Sequence, residues 1–219
     1  MTEPIHSRDA IIDSILILEG PDDFHFFNAL LDHSNCSSLK NRVHRTSPHG
    51  VVNAINGFKL QLKIDKITSL GLVIDADENI AQRWAQVKRI LHEANYSDIP
   101  DAPDPTGIVL NDVQAIVPKV GVWIMPNNKL PGSLEDYVRM LVPKKNQLLA
   151  RAGRSVNSIK LEKRLFLKQH LTKAVIHTWL AWQELPGEPM GRAITKGYLD
   201  LDTLEARSLI SWLHRLYLE

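Results

Sequence analysis

Two acidic clusters in the chain each follow an apolar run. The segment "ILILEGPDDFHFF" (residues 15–27) passes from four aliphatic residues into Glu19, Gly20, Pro21, Asp22 and Asp23, and "GLVIDADEN" (residues 71–79) runs into Asp75, Asp77 and Glu78. Alternate residues of an extended segment point to one side, so Asp75 and Asp77 are expected to present two carboxylates to one point. Asp23 lies four residues after Glu19, one helical turn into the next element, and is expected to face back toward it. Four carboxylates around one crevice repel unless they are protonated or neutralised by cations. Oxygen-only donors suit Mg²⁺ or Mn²⁺, and a cluster this acidic has room for two ions roughly 4 Å apart, an arrangement that serves phosphoryl transfer. The plainer reading of either cluster alone is a helix cap or a turn.

The elements that must position these acids are legible as alternating apolar runs and amphipathic stretches. "SILIL" (residues 14–18), "RVHRT" (42–46) and "LGLVID" (70–75) read as strands, and residues 24–31, 51–64 and 80–94 as helices, the last with Trp84, Val87, Ile90 and Leu91 at helical spacing. The resulting β-α-β-α-β-α order predicts an α/β fold with a mostly parallel sheet flanked by helices, in which ligands gather at the carboxyl ends of the strands. Glu19 and Asp75 stand at two such ends.

After the Pro- and Asp-rich loop of residues 95–107, "GIVL", "VQAIVP" and "VGVWIMP" are three short runs close enough to pair as strands. Ser133 has the character of an N-cap, with Asp136 three residues on, and predicts a helix over 134–141. From residue 143 the pattern holds no strand: residues 159–183 read as one long helix and 204–218 as a closing helix. The expected organisation is an α/β domain over 1–142 and a helical C-terminal extension over 143–219 packed on it.

Composition bounds the partners. The chain has 219 residues, 44% hydrophobic, with a formal net charge of +1, so a nucleic-acid partner must be met by a local patch. The single cysteine, Cys36, forms no internal disulfide and no multi-thiolate zinc site. The first residues lack the apolar core of a signal peptide, and nowhere do about 18 apolar residues run uninterrupted, so the expectation is a cytoplasmic protein with no membrane partner.

Glu19-Gly20-x-x-Asp23 after one strand and Asp75-x-Asp77 after a later one resemble the TOPRIM domain shared by bacterial primases, topoisomerases and OLD-family nucleases. "IMPNNKLPGSLEDYV" and "WLAWQELPGEPMGRAI" extend a likeness to small standalone TOPRIM-like proteins over most of the chain, and the Glu-Gly-Pro-x-Asp form of the first motif looks closest to the OLD nucleases. The resemblance implies a Mg²⁺- or Mn²⁺-dependent nuclease. It implies Glu19 as metal ligand or general base, Asp23 as supporting ligand, and Asp75 with Asp77 as the main metal pair. Asp22 falls one place off the pattern, and Glu78 is an extra acid beside the pair. Glu135 resembles the later acid that contributes to a second metal, with Ser133 beside it; the alternative is that Ser133 and Asp136 only cap a helix. Lys173 matches the lysine that stabilises charge on the phosphate, with Lys196 as runner-up and His170 and His177 expected on the same helix face.

Between residues 139 and 173 ten cations meet one acid, Glu162. Such segregation offers a phosphate-binding surface beside an acidic site, and Lys160, Lys163, Arg164 and Lys168 are expected to contact DNA or RNA. The alternative is a solvated helix face. No G-x-x-x-x-G-K-[ST] is present, so an ATPase, if one is involved, is separately encoded; the histidines lack a zinc-enzyme spacing. Trp123, Trp179, Trp182 and Trp212 are expected to fill core or helix contacts. A non-catalytic nucleic-acid- or protein-binding module is the competing reading.

Overall fold

The computed structural model describes residues 13–111 and 117–219. Four strands, β1 (Ser14–Leu18), β2 (His44–Thr46), β3 (Ser69–Asp75) and β5 (Lys119–Met125), run parallel, and β4 (Ile108–Leu110) lies antiparallel on the edge, in the order β2-β1-β3-β5-β4. This is the Rossmann-like α/β arrangement expected. Of the three runs after the acidic loop, the first and third form β4 and β5, while the middle one falls largely outside the described residues.

Strand alternation sends side chains to two apolar layers. Ile15, Ile17, Leu72, Ile74, Val122 and Ile124 meet α2 (Val51–Gln61) and α3 (Ile80–Glu93) on one face through Phe58, Trp84, Val87 and Leu91. Leu16, Leu18, Val73, Trp123 and Met125 face the other layer. There they join residues of α1 (Pro21–Asp32), α4 (Leu134–Leu141), α5 (Gln147–Asn157), α6 (Leu171–Ala181), α7 (Arg192–Thr195) and α8 (Leu204–Tyr217) in one continuous core. The helical C-terminal segment therefore shares the core of the sheet. At the centre of this face Gly71 and Gly121 are register partners, and an added Cβ would stand 2.5 Å from Tyr217 Oη or 2.5 Å from Leu216 Cδ2 respectively. The absence of side chains there lets α8 lie directly on the sheet.

The predicted helix over 159–183 is not what forms. Helix α5 ends at Asn157, two 3₁₀ turns follow at Leu161–Lys163 and Lys168–His170, and only then does α6 begin. Arg164 explains the break: its guanidinium donates to the Asn157 carbonyl (3.0 Å) and the Ile159 carbonyl (3.0 Å), satisfying acceptors that a continuing helix would have used. Leu161 and Leu165 have helical spacing but are exposed, Leu165 fully, and Leu167 is exposed as well. Residues 158–170 thus form an irregular strap between two helices. Trp123, Trp179 and Trp212 are buried in the core, while Trp182 is partly exposed. Among the described residues no helix is long and apolar enough to cross a membrane.

Candidate metal and phosphate site

The order of the parallel strands reverses direction between β1 and β3, so the connections leaving these strands diverge and open a crevice at their carboxyl ends. Glu19 follows β1 and Asp75 ends β3. Asp75 N–H donates to Glu19 Oε2 (3.0 Å), and Asp75 Oδ1 accepts from the Leu134 N–H at the start of α4 (3.0 Å). A helix N-terminus favours negative charge, and here it fixes a carboxylate. Asp23, 6% exposed, accepts from the Gly20 N–H through Oδ2 (3.0 Å), while its buried Oδ1 has no hydrogen-bond partner.

Glu135 arrives from α4. A turn after β5 directs this helix: Asn128, with φ 58°, exchanges hydrogen bonds with Ile124, its N–H donating to the carbonyl (2.8 Å) and its Oδ1 accepting from the N–H (2.7 Å). Asp136 accepts from the Ser133 N–H (3.0 Å), which closes the helix start as the capping expectation has it. The Ser133 hydroxyl donates to Glu135 Oε2 (2.7 Å). The start of α4 is thus capped as expected, and the same segment carries Glu135 to the crevice. Glu135, 4% exposed, points into the crevice, where Lys173 Nζ of α6 lies 2.8 Å from its Oε1 and 3.6 Å from Asp22.

Asp77 departs from the expected alternation. Strand β3 ends at Asp75, and Asp77 is left-handed, with φ 52°. Its backbone pairs with Gly132, the Asp77 N–H donating to the Gly132 carbonyl (3.0 Å) and the Gly132 N–H to the Asp77 carbonyl (2.7 Å). Its 57%-exposed carboxylate takes a salt bridge from Arg83 (2.5 Å). Asp77 still lines the crevice, but from its mouth and not as an in-line twin of Asp75.

The crevice comprises two adjoining cavities. One of about 640 Å³ is lined by Glu19, Asp75, Asp77, Glu78, Glu135 and Lys173 and walled on the strap side by Lys168, Gln169 and His170; the other, about 250 Å³, adds Asp22 and Asp23 to Glu19, Asp75 and Glu135. The crowding appears in the protonation equilibria. Burial, reinforced by Glu19, raises the Asp23 pKa to about 7. Burial, reinforced by Asp23 and Glu19, pushes Asp75 well above the carboxylate range, and burial also raises Glu19. Burial works to raise Glu135 as well, but Lys173 and the Ser133 hydroxyl outweigh it and hold that carboxyl below its ordinary value. Partial burial opposes the charge on Lys173, yet Glu135 and Asp22 keep its pKa raised.

A divalent cation fits this donor set. The unpartnered Asp23 oxygen and the raised carboxyls mark a place where positive charge is missing. Glu19, Asp23, Asp75 and Glu135 could supply the inner donors, with Asp77 and Glu78 at the mouth. A second grouping is Asp22, Glu135 and His177, whose ligand atoms lie within 4.8 Å of one another.

The remaining expectations divide. Lys168 lines the larger cavity; Lys160 and Lys163 are exposed on the strap and line neither. Arg164 is occupied with the backbone carbonyls that end α5, so its guanidinium serves the strap. Lys196, after α7, lines neither cavity. His170 caps α6, while Lys173 and His177 sit one turn apart and both approach Glu135, the histidine at 4.0 Å. Arg83 was not anticipated: besides Asp77 it donates to the Asp75 carbonyl (2.9 Å) and so ties the two acids together. Its place one turn into the helix after the Asp-x-Asp segment was the available signal.

The chain belongs to the family described as "Protein of unknown function (DUF3226)", which matches residues 13–218. No curated protein and no solved structure matches it.

Proposed function

We propose that this protein hydrolyses phosphodiester bonds in nucleic acid at the acidic crevice, as a TOPRIM-type nuclease related to the OLD enzymes and dependent on Mg²⁺ or Mn²⁺. The observation that carries the reading is the convergence of Glu19, Asp23, Asp75 and Glu135 at two strand ends, with Lys173 among them and Lys168 across the cavity. Glu19, Asp23, Asp75, Asp77 and Glu135 would hold the cation. When bound, it supplies Lewis-acid stabilisation of charge on a phosphoryl oxygen. Glu19, partly buried and with a raised pKa, is the group suited to take a proton from the attacking water. Lys173 is placed to neutralise charge on the phosphate, and Lys168 to hold the substrate against the opposite wall. The setting under this reading is cytoplasmic, in keeping with the buried free thiol of Cys36, and a separately encoded ATPase is a potential partner.

One observation favours a second reading, a module that binds nucleic acid or a protein without turnover: the Lys173 ammonium is already engaged by Glu135 and Asp22. Incubation of purified protein with labelled DNA and RNA, in Mg²⁺, in Mn²⁺ and in EDTA, separates the two. Metal-dependent cleavage that disappears in Asp75→Asn supports the nuclease. Binding that is indifferent to EDTA, with no cleavage in either metal, overturns it in favour of the module.

A further inference from the structure

A third cavity, of about 580 Å³, lies between the end of α4, α5 and the first turns of α6. Its rim carries Arg139, Lys144, Lys145 and Arg154, all exposed, and no carboxylate lines it. Val142, Leu149, Leu171 and Val175 give it an aliphatic floor. Thr172 lines both this groove and the larger acidic cavity, so the two adjoin at that residue.

The rim cations differ from many others in the molecule. Lys59, Lys88, Arg83 and Arg89 each face a carboxylate. None of the four rim cations is in an ion pair or a side-chain hydrogen bond among the described residues. Four like charges around one concavity repel one another, and an anion entering the groove relieves that repulsion.

We infer that this groove binds single-stranded nucleic acid and leads it past Thr172 to the acidic crevice; the inference rests on the nucleic-acid reading above and gives it a substrate form. A duplex hides its bases and offers a groove only phosphates, for which an aliphatic floor has no use. A single strand offers both a charged backbone and apolar base and sugar surface, and a cationic rim over an apolar floor meets both. The floor holds no aromatic ring on which a base could stack, so recognition there is indifferent to sequence.

The test is fluorescence anisotropy with labelled oligothymidylate and oligouridylate in EDTA, which reports on the groove without any chemistry. Lys144→Gln/Lys145→Gln/Arg154→Gln is expected to bind at least about tenfold more weakly and to flatten the slope of log affinity against log salt by about 2, near 0.7 for each phosphate of a single strand that is no longer neutralised. Lys63→Gln/Lys66→Gln, at the amino end of β3, is expected to match the wild type. Acetylation footprinting of the wild type supplies a variant-free measurement: either oligonucleotide is expected to protect Lys144 and Lys145 but not Lys63. An unchanged slope in the triple variant, a blunt duplex binding as tightly as the single strands, or a wild type that binds neither strand overturns the inference. Cleavage of a small activated phosphodiester, too short to reach the groove, keeps the two readings apart. If the wild type cleaves it and the triple variant does so equally while strand binding does not depend on the groove, only this inference falls. If strands bind through the groove and no diester is cleaved, the groove stands and the hydrolase reading falls.

Discussion

At the carboxyl ends of β1 and β3 three of the four inner carboxylates are tied to backbone N–H groups: Glu19 to Asp75, Asp75 to Leu134 and Asp23 to Gly20. The cations of the helical segment are held in the opposite way, on exposed helix faces and an irregular strap, and among the described residues Lys173 is the lysine of that segment that forms ion pairs with the crevice acids. Under the nuclease reading the contrast follows from what each pole would do. A small hard cation tolerates little error in donor position, so its ligands need a rigid scaffold. A polyanion is met by screened, long-range attraction, for which flexible lysines suffice. Changes at the acidic pole should therefore produce steep, localised losses, and changes at the basic pole shallow, salt-dependent ones.

The largest expected effect is that of Asp75→Asn. Its carboxylate is a proposed cation donor, and its Oδ1 also anchors the start of α4. The amide keeps an oxygen for the Leu134 N–H but loses the charge. Under the nuclease reading, cleavage should fall by at least about a hundredfold and Mn²⁺ binding by calorimetry should weaken with it. The metal-free Tm should hold or rise, because the amide, unlike the carboxyl, cannot ionise among like charges. Undiminished cleavage by the variant would remove Asp75 from the site.

Next in size is a dependence on pH and metal. The folded-state pKa of Asp23 is raised to about 7, and those of Glu19 and Asp75 are raised as well, all chiefly by burial. A raised acid contributes stability below its unfolded pKa, and that contribution is lost as pH rises through the folded value. The metal-free protein should accordingly lose stability, by a few kcal/mol, between about pH 4 and pH 8. Mg²⁺ or Mn²⁺ should restore it at the alkaline end, since a cation that binds only the folded state stabilises it. Thermal melts across that range, with and without EDTA, measure both. A metal-free Tm that climbs steadily toward pH 8 would contradict the crowding of these acids.

The same contrast decides what can be read from the sequence. Strands β1 and β3 and helix α4 are legible because each combines a buried apolar run with a local end signal, Glu19-Gly20 or Ser133 with Asp136. The break before α6 is not, because Leu161 and Leu165 keep helical spacing while exposed, and the stop comes from an arginine reaching back to two carbonyls. Helix α5 carried a signal that periodicity could have used: Asn146 accepts from the Leu149 N–H (2.9 Å), and Leu149, Ala152 and Val156 follow at helical spacing on the core side. At Asp77 the alternation rule fails because it assumes a strand that continues past Asp75, whereas the chain turns to pair with Gly132. Types and positions of the acids were readable. The burial that shifts their pKa values, and Arg83 beneath two of them, depend on packing between elements far apart in the chain.

A smaller effect tests the scaffold of the acidic pole. Gly121→Val would drive a side chain into Leu216, whose Cδ2 would lie 2.5 Å from the new Cβ. Overpacking of this kind costs about 1–3 kcal/mol. Because α8 would have to lift from the sheet, Mn²⁺ affinity should remain closer to wild type than Tm does: α8 contributes no residue to either acidic cavity. Calorimetry and denaturant unfolding on the same variant make that comparison. A loss of metal binding as severe as in Asp75→Asn would mean that the acids are not held by their local backbone bonds.

The smallest expected effect lies on the strap. Lys160 and Lys163 are exposed and line neither acidic cavity, whereas Lys168 lines the larger one. If they meet a nucleic acid at all, it is through solvent, where attraction fades over a Debye length of about 8 Å at physiological salt. Lys160→Gln/Lys163→Gln should therefore weaken strand binding by less than about threefold at that ionic strength, with a larger deficit only at low salt. Lys168→Gln should have a greater effect than the pair, because its ammonium stands at the cavity wall. A salt titration of all three lysines, singly and together, distinguishes a diffuse coat from direct binding: a lysine that neutralises a phosphate of a single strand shifts the slope by about 0.7, and a screened neighbour shifts it hardly at all. A full shift at Lys160 and Lys163 would move the basic pole from the groove beside α5 to the strap, and would make the irregular segment itself the surface along which nucleic acid approaches the acids.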